Sequence, residues 1–120
     1  MTDRYFTELI NLYTNYHGRG LEILAFPCNQ FFRQEPKTNA QIKDYVTGIG
    51  GDFPLFSKVE VNGKNACDLF KYLRYHSRLE GSKIGWNFGK FLVDRNGNIQ
   101  GYYGPRHFAM EMVPEIEKLL

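Results

Sequence analysis

The sequence predicts a single α/β domain with a mixed sheet, and three observations carry that reading. Apolar side chains recur at helical spacing from Phe6 to Tyr16 and again around Ile116 near the C-terminus. Two short apolar runs, residues 21–26 and 91–94, have the length and composition of buried strands. Arg95-Asn96-Gly97-Asn98 stands between the second run and another extended stretch, which is a hairpin signal. The resulting order, helix, strand, helix, strand, helix, hairpin, helix, is that of an α/β fold.

Each element follows from local chemistry. Thr2 is a fair N-cap for a helix of about four turns, with Phe6, Leu9, Ile10, Tyr13 and Tyr16 on one side. Gly18 and Gly20 end it. The run 21–26 then reads as a strand, stopped by Pro27, which has no N–H to donate. Thr38-Asn39-Ala40-Gln41 is a capping box opening a second helix that extends to Val46. Gly48, Gly50 and Gly51 break the chain there. Residues 55–61 read as a short strand or extended segment ending at the Asn62-Gly63 turn. A third helix is expected from Asn65, burying Leu69, Phe70 and Leu73, with Cys67 in its first turn. The loop 77–85 leads to the strand 91–94, the hairpin, and a return strand over 99–103. Pro114 marks the start of a last helix that carries Ile116, Leu119 and Leu120 inward.

Composition bounds the function. With 120 residues, 42% apolar and 16% aromatic, the chain has enough material for one small core, and disorder is excluded. No apolar stretch reaches membrane-spanning length. A net charge of +2, without a dense Lys/Arg tract, argues against a nucleic-acid partner. Two cysteines cannot make a disulfide framework, which points to a reducing, cytoplasmic setting. His17, His76 and His107 lack metal-ligand spacing, so no metal is expected.

The chemistry-bearing stretch is the exit from the first strand. There Cys28, Asn29, Gln30 and Gln34 lie between the rings of Phe26, Phe31 and Phe32. Amides at the carboxyl end of a strand are where open α/β sheets place ligands. Amides also cap local backbone in ordinary loops, and both readings stand at this point. Likewise Trp86 beside Phe88 and Phe91 reads as core, and Asn87 as a turn residue, on local grounds. Cys28 has no base nearer in sequence than Arg33, and reads as a buried, inert thiol.

FPCNQF, followed by QEP at Gln34, resembles the glutathione peroxidase signature, and WNFGKFLVD from Trp86 resembles that family's second one. Their order and separation match as well, and the likeness runs from Thr2 to Leu120. The resemblance implies a thioredoxin-like fold, N-terminally truncated, in which a central strand belongs before the opening helix. The strands 21–26 and 91–94 would flank that strand. It also implies a thiol-dependent peroxidase that reduces hydrogen peroxide and organic or lipid hydroperoxides. The implied site residues are Gln34, Trp86 and Asn87, all able to donate to an anion. The nucleophile, cysteine or selenocysteine, would precede Gly, a variable residue matched by Met1, and a Thr matched by Thr2. It is therefore expected upstream of Met1.

Thr47 stands where thioredoxin-dependent members carry a resolving cysteine, so glutathione or a similar thiol is the expected co-substrate, with no bound cofactor. Lys83, Lys90 and Arg106 are the candidate basic rim for its carboxylates. The short loop 77–85 lacks the insertion of tetrameric members, which implies the monomeric, phospholipid-hydroperoxide type. Tyr102, Tyr103 and Phe108 are then either a transient lipid surface or ordinary hairpin and core residues. A non-catalytic thioredoxin-like binding module is the alternative function. The nucleotide sequence upstream of Met1 is expected to carry an in-frame Cys codon or UGA; neither being there would favour the binding module.

Overall fold

The structure is a computed structural model and describes residues 2–120. Its elements are α1 (Thr2–Tyr16), a 3-10 turn (His17–Arg19), α2 (Asn39–Gly48), α3 (Asp68–Tyr75), β1 (Lys90–Val93), β2 (Ile99–Tyr103), a second 3-10 turn (Ala109–Met112) and α4 (Val113–Leu119). The chain gathers into two compact units. One comprises residues 2–27, 36–57 and 107–120, the other residues 28–35 and 58–106.

In the first unit α1 buries the face its periodicity predicts. Phe6, Leu9, Ile10 and Tyr13 pack on a core of Ile42, Val46 and Phe53, joined by Ile23, Ala25 and Leu55. The capping box of α2 forms as expected: Thr38 Oγ1 accepts from the Gln41 N–H at 3.2 Å and Gln41 Oε1 from the Thr38 N–H at 2.9 Å. Gly20, at φ 112°, closes the turn after α1 in a conformation other residues avoid. Further along, the guanidinium of Arg4 lies 3.6 Å above the Phe108 ring. The Met110 N–H donates to Glu8 Oε1 at 2.9 Å. The 3-10 turn there and the start of α4 at Val113, one residue before Pro114, are details the periodicity did not carry.

Residues 21–26 are not a strand. They pair only at Ala25, in an isolated parallel bridge with Leu55. The Ala25 N–H donates to the Pro54 carbonyl at 3.0 Å, and the Phe56 N–H to the Ala25 carbonyl at 2.9 Å. The next rung on either side would need an N–H from Pro27 or from Pro54, and neither has one. The same pair of prolines corrects the expected strand over 55–61, which is one bridged residue within an irregular segment.

The second unit holds the antiparallel hairpin. Lys90 pairs with Tyr103, Phe91 with Tyr102 and Leu92 with Gly101, and an irregularity follows before Val93 meets Ile99. β1 thus begins one residue earlier than expected and ends before Asp94, whose carboxylate organises the loop instead. Asp94 Oδ1 accepts from the N–H groups of Asn96 and Asn98, both at 2.9 Å, and Oδ2 from Gln100 Nε2 at 2.8 Å. α3 begins at Asp68 rather than Asn65, so Cys67 is its N-cap and not part of its first turn. Leu73 is buried by α3, but Leu69 faces out at 43% exposure.

Of the two readings of Tyr102, Tyr103 and Phe108, the one as hairpin and core residues fits: Tyr102 and Phe108 are buried and Tyr103 is half-buried. Tyr102 stacks on Phe91 across the hairpin, and Phe108 on Tyr5 within the first unit. Among the described residues no helix is long and apolar enough to cross a membrane.

Asp94 gives the hairpin a pH dependence. The Asn98 N–H beside it, more than any other group, holds its carboxyl below the usual carboxylate range. A lowered folded-state value means the carboxylate supports the loop in full above its unfolded value, about 3.9. That support is lost as pH falls through the folded value. Amide exchange at Asn96 and Asn98 should therefore accelerate in acid before that of α1 and α2. Parallel loss at all these amides would show that Asp94 does not hold the loop.

Candidate functional site

The sequence-predicted residues meet inside the second unit. Gln34 closes a tight turn, its N–H donating to the Phe31 carbonyl at 3.2 Å. Asn29 ties the end of the same loop, its Oδ1 accepting from the Glu35 N–H at 2.9 Å. From the other side comes the 86–88 segment. Asn87 Nδ2 donates to Gln34 Oε1 at 2.9 Å, so the two carboxamides that the sequence places 53 positions apart are directly bonded. With its oxygen occupied, Gln34 has its NH₂ group left to donate elsewhere.

Trp86 is half-buried beside them. Its ring lies 5.2 Å from Phe32 edge-on and 6.0 Å from Phe31, and it packs on the cluster of Cys28, Phe31, Val61 and Ile84. Phe32 is 83% exposed, so a large apolar ring stands at the lip of the site. Packing alone does not decide the role of Trp86, since an indole buries its carbons and still carries one N–H donor.

Backbone strain surrounds the pair. Phe32 and Arg33 both sit at φ 52°, immediately before Gln34, and Phe88 at φ 60°, immediately after Asn87. Bulky residues rarely adopt the left-handed region, and such outliers concentrate at functional sites. Sequence reasoning missed them, because no glycine signals these positions.

Other candidates lie differently. Lys83 and Arg106 are exposed. Lys90 Nζ donates to the Phe88 carbonyl at 2.6 Å and to that of Gly104 at 3.4 Å, so its charge fastens the loop behind Asn87. Cys28 is buried, and burial pushes its thiol up, with the N–H groups of Gln30 and Val61 offsetting this only in part. Cys67 is half-buried and makes no side-chain bond to the α3 N-terminus. The two cysteines form no disulfide.

Gln30, named above among the loop amides, and Asn62, read only as a turn residue, connect the same segments. The Gln30 carboxamide bonds both backbone groups of Asn62, and the Asn62 carboxamide bonds both backbone groups of Ile84. The Asn62-Gly63 pair was legible as a turn, yet nothing in its spelling points to Ile84.

A family model described as glutathione peroxidase matches residues 1–74. The probable phospholipid hydroperoxide glutathione peroxidase of Citrus sinensis is 48% identical over 122 residues, spanning 100% of this chain and 73% of that protein. The glutathione peroxidase homolog BsaA of Bacillus subtilis (strain 168) is 53% identical over 116 residues, spanning 94% of this chain and 72% of that protein. Among solved structures, the crystal structure of T. cruzi GPX1 superposes with a TM-score of 0.75 at 30% identity, covering 98% of this chain and 72% of that one.

The burial of Cys28 has a direct readout. Iodoacetamide at neutral pH should modify Cys67 faster than Cys28 by about an order of magnitude, followed by peptide mass spectrometry. Preferential labelling of Cys28 would make it, and not an outside group, the reactive chalcogen.

Proposed function

This chain belongs to the glutathione peroxidase family, with its thioredoxin-like fold and thiol-dependent peroxidase activity, and from that premise we propose that Gln34, Trp86 and Asn87 form its anion-stabilising site. The observation that carries the assignment is the Asn87–Gln34 bond with Trp86 alongside.

The reaction assigns each group a task. A thiolate or selenolate attacks one oxygen of a hydroperoxide, and the O–O bond breaks. The chalcogen is oxidised to a sulfenic or selenenic acid, and the other oxygen leaves as an alkoxide or hydroxide that takes up a proton. One thiol then condenses with the oxidised chalcogen, releasing water, and a second thiol displaces it, giving a disulfide and the starting anion. The Gln34 NH₂ and the Trp86 N–H are donors suited to the attacking anion and the departing oxygen. Asn87 occupies the Gln34 oxygen, which leaves the Gln34 NH₂ group to serve the anion.

Neither cysteine of the sequence fits the nucleophile, so this reading assigns that role to a cysteine or selenocysteine outside these 120 residues. Glutathione is the reductant it favours, since Thr47 in α2 is no thiol, with Lys83 and Arg106 as exposed cations for its carboxylates. The exposed Phe32 ring suits an apolar hydroperoxide, including one in a lipid surface. A monomer in a reducing, cytoplasmic setting completes the proposal.

Hydroperoxide consumption with glutathione should be negligible for these 120 residues and should appear when the chain is extended upstream. In the extended protein, Gln34→Ala should lower kcat/KM by about a hundredfold. Full turnover by the 120 residues alone would refute the outside nucleophile, and an undiminished Gln34→Ala variant would refute the role of Gln34.

A further inference from the structure

Two carboxamides in series connect the loop of Gln34 with that of Asn87. Gln30 Oε1 accepts from the N–H groups of Val61 at 2.7 Å and Asn62 at 3.0 Å, while its Nε2 donates to the Asn62 carbonyl at 2.9 Å. The Asn62 side chain repeats the pattern: Nδ2 donates to the Ile84 carbonyl and Oδ1 accepts from the Ile84 N–H, both at 2.8 Å. Each carboxamide thus satisfies the N–H and the C=O of one residue together, as the facing residue of an antiparallel strand would.

The placement of this relay is informative. Gln30 belongs to the loop that ends in Gln34, and Ile84 leads into Trp86 and Asn87. Fixing the Ile84 peptide against the Asn62 side chain, and Asn62 against Gln30, sets the separation of the two loops. Arg74 braces the same segment, its guanidinium donating to the carbonyls of Val61 at 3.2 Å, Gly81 at 3.0 Å and Ser82 at 3.1 Å. The strained backbone at Phe32, Arg33 and Phe88 would not hold the two loops together unaided, because relaxation of any of them moves Gln34 or Asn87.

We infer that Gln30 and Asn62 are positioning residues for the site proposed above: their paired bonds hold Gln34 and Trp86–Asn87 in register without touching substrate. The inference rests on that reading only for the purpose of the register; the register itself is a property of this chain.

Trp86, the single tryptophan, reports on it directly. Asn62→Ala should leave the far-UV circular dichroism intact while acrylamide quenching of Trp86 emission roughly doubles as its loop opens. Asn62→Asp keeps the acceptor for the Ile84 N–H and loses the donor, so it should fall between; it also serves if the alanine variant fails to fold. Leu73→Ala, a buried residue of α3 outside the relay, is the control for plain destabilisation and should leave Trp86 quenching unchanged. Quenching that is unaltered in both Asn62 variants, or raised as much by Leu73→Ala, overturns the positioning role. Failure of the peroxidase reading would show separately, as Gln34→Ala without effect on turnover while the Trp86 response persists.

Discussion

Every buried peptide group must find a hydrogen-bond partner, and in this chain backbone ladders meet only part of that demand. The first unit has one parallel rung between Ala25 and Leu55, closed off by Pro27 and Pro54. The second has a hairpin of two short strands. Helices and backbone turns satisfy many of the others, and in the loops side chains claim several more: Gln30 for Val61 and Asn62, Asn62 for Ile84, Asn29 for Glu35, Asp94 for Asn96 and Asn98. The candidate site lies where these substitutes are most concentrated. A carboxamide satisfies a donor and an acceptor at once, and it does so in one geometry, so it fixes the chain segments it joins more narrowly than apolar packing does.

Apolar packing supplies the other half of the arrangement. Cys28, Phe31, Val61 and Ile84 form a buried cluster, with Trp86 and Phe91 leaning on it. Left-handed backbone at Phe32, Arg33 and Phe88 costs on the order of 1–3 kcal/mol each. Burial of Phe31, about 1.5–3 kcal/mol for a fully buried large side chain, offsets part of that cost, and the ring contacts of Trp86 add to it. The loop keeps its shape because neighbouring groups fix it, and with it the placement of Gln34, Asn87 and Trp86.

Family membership and the geometry bear on different questions. The relatives establish the fold and the thiol-dependent peroxidase chemistry, across nearly three quarters of the Citrus sinensis protein's length. The geometry adds an orientation for Gln34 and a reason for it, since the bond from Asn87 occupies its oxygen. It also explains why Cys28, although in the same apolar cluster as Trp86, is a poor nucleophile: the environment that packs it also keeps it protonated.

What the sequence determined alone is what depends on neighbours a few residues apart. The α1 face, the Thr38–Gln41 capping box, the Asn96-Gly97 hairpin and the proline at the head of α4 were all legible, as were the two signatures that carry the family. Gln34, Trp86 and Asn87 were legible only through those signatures. Tertiary structure decided the rest, and for one physical reason. The bonds from Asn62 to Gln30, from Ile84 to Asn62 and from Asn87 to Gln34 span 32, 22 and 53 positions. No periodicity or propensity encodes a contact at that separation. Even the failed strand over 21–26 follows this rule: Pro27 announces one end of the pairing, but only the fold reveals that Pro54 stands opposite and closes the other.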